Sequence, residues 1–345
     1  IKGEVKDMSD NKSQVKKEPG GLFKAIGTQK LVAVIALIVL FMFFWIFGDN
    51  FAKYSTLVSI FDSSYYIGFM AIGVTFVIIT GGIDLSIGTV CICCSLISGT
   101  LYTKLGLPMP LCVILAILMG GLFGLANGLM VSVMRLPAFI ATLGTMMITR
   151  GLGSIVTNTA TVTFPQASAP GGSFRGIFKL KGAGLPQAGI PTGFILLIVL
   201  AILMAILLNK ARPGRYILSL GSNKEATRLS GVNVVKWETL AYVISGLFAG
   251  LAGVSYAAVY STLMPGTGNG FELDAIAGVV IGGTSLAGGV GSISGTLIGV
   301  FIMSVLKTGL PFVGVQPHYQ LLITGFVLII AVFVDVLNRR KQGKD

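Results

Sequence analysis

Only a few polar residues interrupt the long apolar stretches of this sequence, and Asp84 is the first that could do chemistry. It follows Gly81 and Gly82 and precedes Ser86. A carboxylate between apolar segments is costly unless hydrogen-bond donors bind it. Because a glycine pair can interrupt a helix and free backbone N–H groups, we expect Asp84 to cap the helix that follows. The alternative chemistry is the binding of a proton or a cation by Asp84.

A second interruption, at Gly282 and Gly283, shares the pattern G-G-x-x-L-small with the first. Paired glycine-interrupted segments in two parts of a membrane transport protein often mark broken helices beside the pathway. Two ordinary glycine-rich turns are the alternative interpretation. Glu272 and Asp274 stand at the start of the apolar stretch before these glycines. Carboxylates there stabilise the free N–H groups of a helix N-terminus, so we expect both to cap a helix.

Three further polar residues could line a path through the apolar segments. Asn127 and Thr142 are polar exceptions within two such segments and could contact a hydroxylated solute. Arg150 lies inside or at the outer end of the second of these segments. A charged side chain at that depth should face protein or a wet cavity, or else extend to the lipid headgroups.

The loop 210–236 is rich in Lys and Arg and contains the signature of a short helix. Ser222 or Asn223 suits the N-cap, Glu225 the first turn and Gly231 the residue after the helix. We expect an amphipathic helix that docks into a groove of a soluble partner or lies on anionic lipid. The residues of this segment are Asn223, Lys224, Glu225, Ala226, Thr227, Arg228, Leu229, Ser230 and Gly231.

The sequence contains no pattern typical of an enzyme. The phosphate-binding motif G-x-x-x-x-G-K-[ST] does not occur, and His318 is the single histidine. The four cysteines lack the spacing of zinc or redox sites. We therefore expect no catalytic residue, no metal site and no cofactor on this chain, and we place a membrane enzyme last among the functional hypotheses.

The composition places these residues in a membrane protein. Hydrophobic residues make up 54% of the 345 residues and charged residues 11%, whereas soluble proteins are about one quarter charged. Lipid must therefore be the solvent of most of the surface. The net charge of +12 is concentrated beside the apolar stretches, as the positive-inside rule expects of cytoplasmic segments. Nucleic-acid binding is thus not needed to explain it.

The apolar stretches predict an all-α polytopic membrane protein with about ten transmembrane helices, broken or halved near 80–88 and 272–290. Both termini are basic and should be cytoplasmic, which requires an even number of crossings. Ten crossings result if 272–290 crosses, as one short helix or as two half-helices, and eight is the alternative. We predict a cytoplasmic tail, a transmembrane domain with one large cytoplasmic loop, and a second tail: residues 1–30, 31–337 with the loop 210–236, and 338–345.

Four stretches of sequence resemble one known family, the permease subunits of bacterial ribose-type sugar ABC importers. They read TGGIDLSIG (80–88), PAFIATLG (137–144), GRYILSLGSNKEATRLSGVNV (214–234) and ELDAIAGVVIGGTSLAGGVGSISGTLIG (272–299). The resemblance extends over nearly all of residues 30–338. It implies that the segment 223–231 couples the chain to an ATPase, although no motif assigns the residues that contact the solute.

The same resemblance implies a set of partners. A second permease copy should complete a homodimer in the bacterial inner membrane, and a cytoplasmic ATPase with two nucleotide-binding domains should hold ATP and Mg²⁺. An extracytoplasmic sugar-binding protein should deliver a monosaccharide, with ribose expected first and galactose or xylose as alternatives. The competing hypothesis is a secondary transporter that couples transport to an ion through Asp84.

Overall fold

The computed structural model describes residues 28–341, so most of the predicted N-terminal tail and residues 342–345 lie outside the described chain. Within that range the protein is almost entirely helical. The helices are α1 (Thr28–Phe47), α2 (Tyr54–Ile79), α3 (Ile87–Leu105), α4 (Met109–Ser132), α5 (Ala138–Thr157), α6 (Arg175–Phe178), α7 (Gly193–Lys210), α8 (Arg212–Ser222), α9 (Lys224–Leu229), α10 (Val234–Tyr260), α11 (Phe271–Ile281), α12 (Ile293–Gly309) and α13 (Pro317–Lys341). Short 3₁₀ turns at Gly172–Phe174 and Leu310–Val313 and two strands, β1 (Val162–Thr163) and β2 (Thr262–Leu263), complete the described elements.

Nine helices of the described chain are long and apolar enough to cross a membrane. They are α1 to α5, α7, α10, α12 and α13. The prediction of an all-α polytopic membrane protein is thereby confirmed. Helix α11 has 11 residues, which at 1.5 Å per residue is roughly half of the 30 Å hydrocarbon layer.

Both predicted helix breaks are present, but the second differs from the prediction. Helix α2 ends at Ile79 and α3 begins at Ile87, so 80–86 separates them. Within 272–290 only the first half is helical. The prediction of two half-helices is therefore wrong for the second half, 282–290, which is not a helix. The physical reason lies in the backbone, because Gly283, Gly288 and Gly289 have φ of +92°, +87° and +74°, outside the helical region.

Two long connections contain more structure than the sequence predicted. The α5–α7 connection (158–192) contains β1, a 3₁₀ turn and α6. Strand β1 pairs antiparallel with β2, which follows α10, and the register places Val162 opposite Leu263. The loop 210–236 contains two helices, α8 and α9, where the sequence analysis predicted one.

The buried core is centred on α2, α3 and α10, whereas α1 and α13 expose most of their apolar side chains, as lipid-facing helices do. Helices α4 and α10 pack with their backbones in contact. A Cβ atom on Gly250 would lie 2.6 Å from the carbonyl oxygen of Ala116. Small residues allow this close approach. The glycines at the contact are Gly120, Gly124, Gly128, Gly246 and Gly250.

Candidate functional site

Asp84 lies buried in the break between α2 and α3, with 2% of its surface exposed. Its Oδ1 accepts hydrogen bonds from the backbone N–H of Ser86 at 3.0 Å and from the Ser86 hydroxyl at 2.7 Å. Its Oδ2 accepts one from the Ser245 hydroxyl of α10 at 2.8 Å. Two of the donors therefore belong to Ser86, just before α3, and the third is the Ser245 hydroxyl of α10. Asp84 thus ties the break to α10.

The polar network around Asp84 continues through Asn127 to α5. The Asn127 amide donates to the Ser86 hydroxyl at 2.9 Å and accepts from the Thr145 hydroxyl at 2.6 Å. The hydroxyl of Thr142 donates to the backbone oxygen of Ala138 at 2.8 Å and lies 3.3 Å from that of Ile83 in the break. Helix α5 is thus held against the first break by side chains from two of its turns.

The three residues predicted to line a path lie in two different environments. Asn127 and Thr142 are buried inside the chain, with 1% and 0% of their surfaces exposed, and their hydrogen-bonding groups are occupied by the network above. They therefore do not lie at the surface of the described chain. Arg150 is exposed on α5, beside a narrow cleft between α3 and α5 that Thr89 and Thr149 also line.

Glu272 and Asp274 both lie in the first turn of α11, the position at which the sequence analysis expected them to stabilise free N–H groups. The N-cap of α11 is Gly270, which offers no side chain for a cap. Asp274 forms a partly buried ion pair with Lys307 of α12. The Lys307 ammonium also lies 4.8 Å from the ring centre of Phe271, a cation–π contact. Asp274 therefore joins α11 to α12.

Glu272 lies against the first turn of α3. Its side chain is buried, and Oε2 has no hydrogen-bond partner among the described residues. A Cβ atom on Gly88 would lie 2.5 Å from this oxygen, so the glycine makes room for the carboxylate. The start of α11 thus lies against the start of α3 at Glu272. The G-G-x-x-L-small pattern did not reveal this contact.

Helix α9 begins and ends as the sequence predicted. Asn223 is the residue that separates α8 from α9, and its Oδ1 accepts a hydrogen bond from the backbone N–H of Ala226 at 2.9 Å. Asn223 is therefore the N-cap, and Ser222 is the last residue of α8. Gly231 follows the helix with φ of +81°, a conformation that favours glycine.

One side of α9 is anchored and the other projects away from the protein. Thr227 is buried, and the Lys224 ammonium forms an ion pair with the Glu238 carboxylate of α10 at 2.7 Å. Glu238 itself is buried. Leu229 has 83% of its surface exposed, the highest fraction among the exposed large hydrophobic residues of the described chain. The helix thus presents an exposed apolar side chain next to Arg228.

The sequence analysis missed the polar contacts that hold the α5–α7 connection in place. Arg175 is buried, and its guanidinium donates hydrogen bonds to the Ser261 hydroxyl at 2.7 Å and to the Phe164 oxygen at 3.3 Å. Burial without a carboxylate lowers the pKa of Arg175 below its ordinary value. Lys179 pairs with the buried carboxylate of Asp62 at 2.5 Å. Arg175 and Lys179 lie outside the basic cytoplasmic segments of the sequence. That position is the one sequence feature that could have indicated a structural role for them.

A comparison with protein families matches residues 56–332 of the chain to a family model. The matching model describes the permease component of branched-chain amino acid transport systems. The chain belongs to this family. It is a multi-pass membrane permease, a component of transport rather than an enzyme, and the resemblance to the ribose-type ABC importer permeases is confirmed.

Curated relatives of this permease include proteins named for pentose transport. The ribose import permease protein RbsC of Escherichia coli K12 is 38% identical over 305 residues, which cover 88% of this chain and 92% of the relative. RbsC of Bacillus subtilis is 36% identical over 308 residues, covering 89% and 92%. The xylose transport system permease protein XylH of Escherichia coli K12 is 30% identical, covering 92% and 94%. No solved structure matches the chain significantly.

These relatives also bear on the competing hypothesis. The relatives and the family model describe import permeases and permease components. They do not favour an ion-coupled secondary transporter. In agreement with this, the hydrogen bonds to Asp84 come from hydroxyl and N–H donors of the described chain.

Proposed function

We propose that this permease forms the inner-membrane path for a monosaccharide. Ribose is the expected substrate, with galactose or xylose as alternatives. A binding protein delivers the sugar from outside, and a separate cytoplasmic ATPase that holds ATP and Mg²⁺ drives transport. The observation that carries the proposal is the 38% identity to a ribose import permease over nearly the whole of both chains.

The direct test is uptake of labelled ribose into proteoliposomes that contain the permease, its ATPase and its binding protein. We expect uptake to require ATP and to be reduced by excess unlabelled ribose more strongly than by xylose or galactose. The permease alone, under a proton or sodium gradient, should take up no sugar. Gradient-driven uptake by the chain alone would refute the proposal and support the ion-coupled alternative.

We further infer ten crossings with both ends of the transmembrane domain on the cytoplasmic side. Nine come from the long helices, and the segment between α10 and α12 that contains α11 supplies the other. Two contacts support this path. The pairing of β1 with β2 puts the end of α10 on the same side as the α5–α7 connection. The backbone N–H of Gly289 reaches the carbonyl oxygen of Ile79, at the opposite end of α2 from Tyr54.

The exposed face of α5 supports pairing with a second copy. Arg150 lies about 10 Å from the outer end of α5, where a charge facing lipid costs roughly 3 kcal/mol. Gly144 and Gly151 lie on the exposed part of the same helix, and a Cβ on either would have no atom within 4 Å. A second permease copy that covers this face would enclose a wet path lined by Arg150, while Asn127 and Thr142 hold its wall in place.

Cysteine cross-linking tests this arrangement. A Gly151→Cys chain in membranes should form disulfide-linked dimers, because copies that share the face bring the two residues together. Ile202→Cys, on the exposed side of α7, is the matched control and should remain monomeric on gels. Equal cross-linking of the two variants would contradict a dimer through α5.

The segment 223–231 is proposed to dock onto the ATPase. Its exposed Leu229, between Arg228 and Ser230, suits insertion into an apolar pocket of a soluble partner. Truncating such a central anchor costs about 2 kcal/mol or more, roughly a 30-fold loss of affinity. Leu229→Ala should therefore weaken ATPase binding by that factor. Leu105 is 67% exposed at the far end of α3, so Leu105→Ala is the control and should leave ATPase binding unchanged. Equal affinities would refute the docking role.

A further inference from the structure

Three backbone segments meet without intervening side chains where α8 ends. A Cβ atom on Gly221 would lie 2.5 Å from the backbone nitrogen of Gly289 and closer still to the carbonyl oxygen of Ile79. A Cβ atom on Gly288 would lie 2.9 Å from the nitrogen of Gly81 and 3.0 Å from the oxygen of Gly221. These five residues, here called the glycine junction, bring the first break, the second break and α8 into direct contact.

A hydrogen bond holds the two breaks together inside the glycine junction. The backbone N–H of Gly289 donates to the carbonyl oxygen of Ile79 at 2.9 Å. Ile79 is the last residue of α2, where carbonyl groups lack partners within the helix. Gly288 and Gly289 both have positive φ, and Gly81 has φ of +82°. Glycine is therefore required both for the backbone path and for the close approach.

The glycine junction is connected to α9 through a short, ordered link. Asn223 alone separates α8 from α9, and its side chain caps α9. A displacement of α9 must therefore move the end of α8 and Gly221 with it. Flexible side chains at such a contact would absorb a displacement by changing rotamer, whereas backbone atoms in contact cannot.

From the glycine junction, two routes lead into the membrane domain. The first break continues from Gly81 to Asp84, whose network reaches α5 through Asn127. The second route runs back along the chain from Gly288 to α11, whose Asp274 forms an ion pair with Lys307 of α12. Asp84 and α11 are therefore each one short segment of chain away from the glycine junction.

We propose that the glycine junction transmits the movement of α9 to both helix breaks at once, with Gly221 as its positioning residue. This inference rests on the proposed docking of the ATPase on α9 and adds the route from that docking site into the membrane. A Cβ at position 221 would displace the Gly289–Ile79 hydrogen bond, so the ATPase would still bind but its stroke would no longer reach the breaks.

Gly221→Ala in the complete transporter tests the transmission. In proteoliposomes we expect ATP hydrolysis within about twofold of the unmodified complex, but roughly tenfold less sugar transported per ATP, within the usual range of coupling effects. Gly176→Ala is the matched control, because its Cβ would meet only Leu180 Cδ1, at 3.9 Å. An unchanged ratio of sugar to ATP in Gly221→Ala would overturn the proposal.

Hydrogen exchange on the unmodified complex decides the matter if Gly221→Ala does not assemble. Comparing the nucleotide-free and vanadate-trapped states, exchange should change in peptides covering 80–88 and 285–291, and not in 176–182. If the ATPase protects 223–231 while 285–291 stays unchanged, the glycine junction does not transmit and the docking role stands. If 223–231 gains no protection, the docking role fails and this inference fails with it.

Discussion

The backbone contact between α4 and α10 predicts a large and position-specific effect of one added methyl group. In Gly250→Ala the new Cβ would lie 2.6 Å from the carbonyl oxygen of Ala116 and 2.8 Å from the Cα of Ile117. Ordinary contact begins at 3.4 Å, so the oxygen is about 0.8 Å too close. Since backbone atoms cannot rotate away, the two helices must separate.

The magnitude follows from opposing contributions. Overpacking a rigid contact costs about 3 kcal/mol, the upper end of the usual range. Alanine is about 1 kcal/mol more favourable than glycine in a helix, which offsets part of this cost. The net destabilisation is therefore about 2 kcal/mol. At roughly 2 °C per kcal/mol for a chain of this size, the apparent Tm in detergent should fall by about 4 °C.

A neighbouring glycine provides the control for this prediction. In Gly121→Ala the new Cβ would meet the Leu247 side chain, with Cδ2 at 2.8 Å. A leucine side chain can change rotamer, so we expect a Tm within about 2 °C of the unmodified protein. Thermal denaturation of both variants, followed by loss of monodisperse protein, gives the comparison. If Gly250→Ala were no less stable than Gly121→Ala, backbone contact would not determine the packing of α4 on α10.

Three further predictions follow from polar contacts. Lys224→Ala leaves the buried Glu238 carboxylate unpaired and, because Lys224 is half exposed, should cost about 1–2 kcal/mol, measured by thermal denaturation; an unchanged Tm would contradict it. Asp84→Asn keeps an oxygen acceptor and should retain most ATP-driven uptake, whereas Asp84→Leu should lose it; equal loss in both would indicate a role for the charge. Lys179→Met leaves Asp62 unpaired and should speed proteolysis of the α5–α7 connection, and an unaltered cleavage rate would argue against that anchor.

Composition and short-range patterns were sufficient to predict the class of protein and its local landmarks. The excess of apolar residues and the basic clusters placed the chain in a membrane. The breaks near 80–88 and 272–290, an N-cap at Ser222 or Asn223 and the terminating Gly231 were also predicted, because glycine and capping residues act within a few residues of their own position. The matched family then confirmed the resemblance that four sequence stretches had suggested.

The environments of the polar residues depended on the tertiary structure. Asn127, Thr142 and Arg150 were all expected to line a path, yet the first two are buried in a network and the third is exposed. In a helix that is apolar on all sides, hydrophobic periodicity does not distinguish the face that packs on protein from the face that meets lipid. The rotation of each helix is set by close backbone approach, which the sequence alone does not specify.

The same distinction applies to the helix breaks. Local sequence showed that glycines interrupt the chain at 80–88 and 272–290, because glycine alone adopts the required backbone angles without strain. That Gly221, Gly288 and Ile79 meet at one point could not be predicted, since they are far apart in sequence and carry no complementary side chains. Their contact is made by backbone atoms that every residue has, so the folded arrangement of the helices decides it.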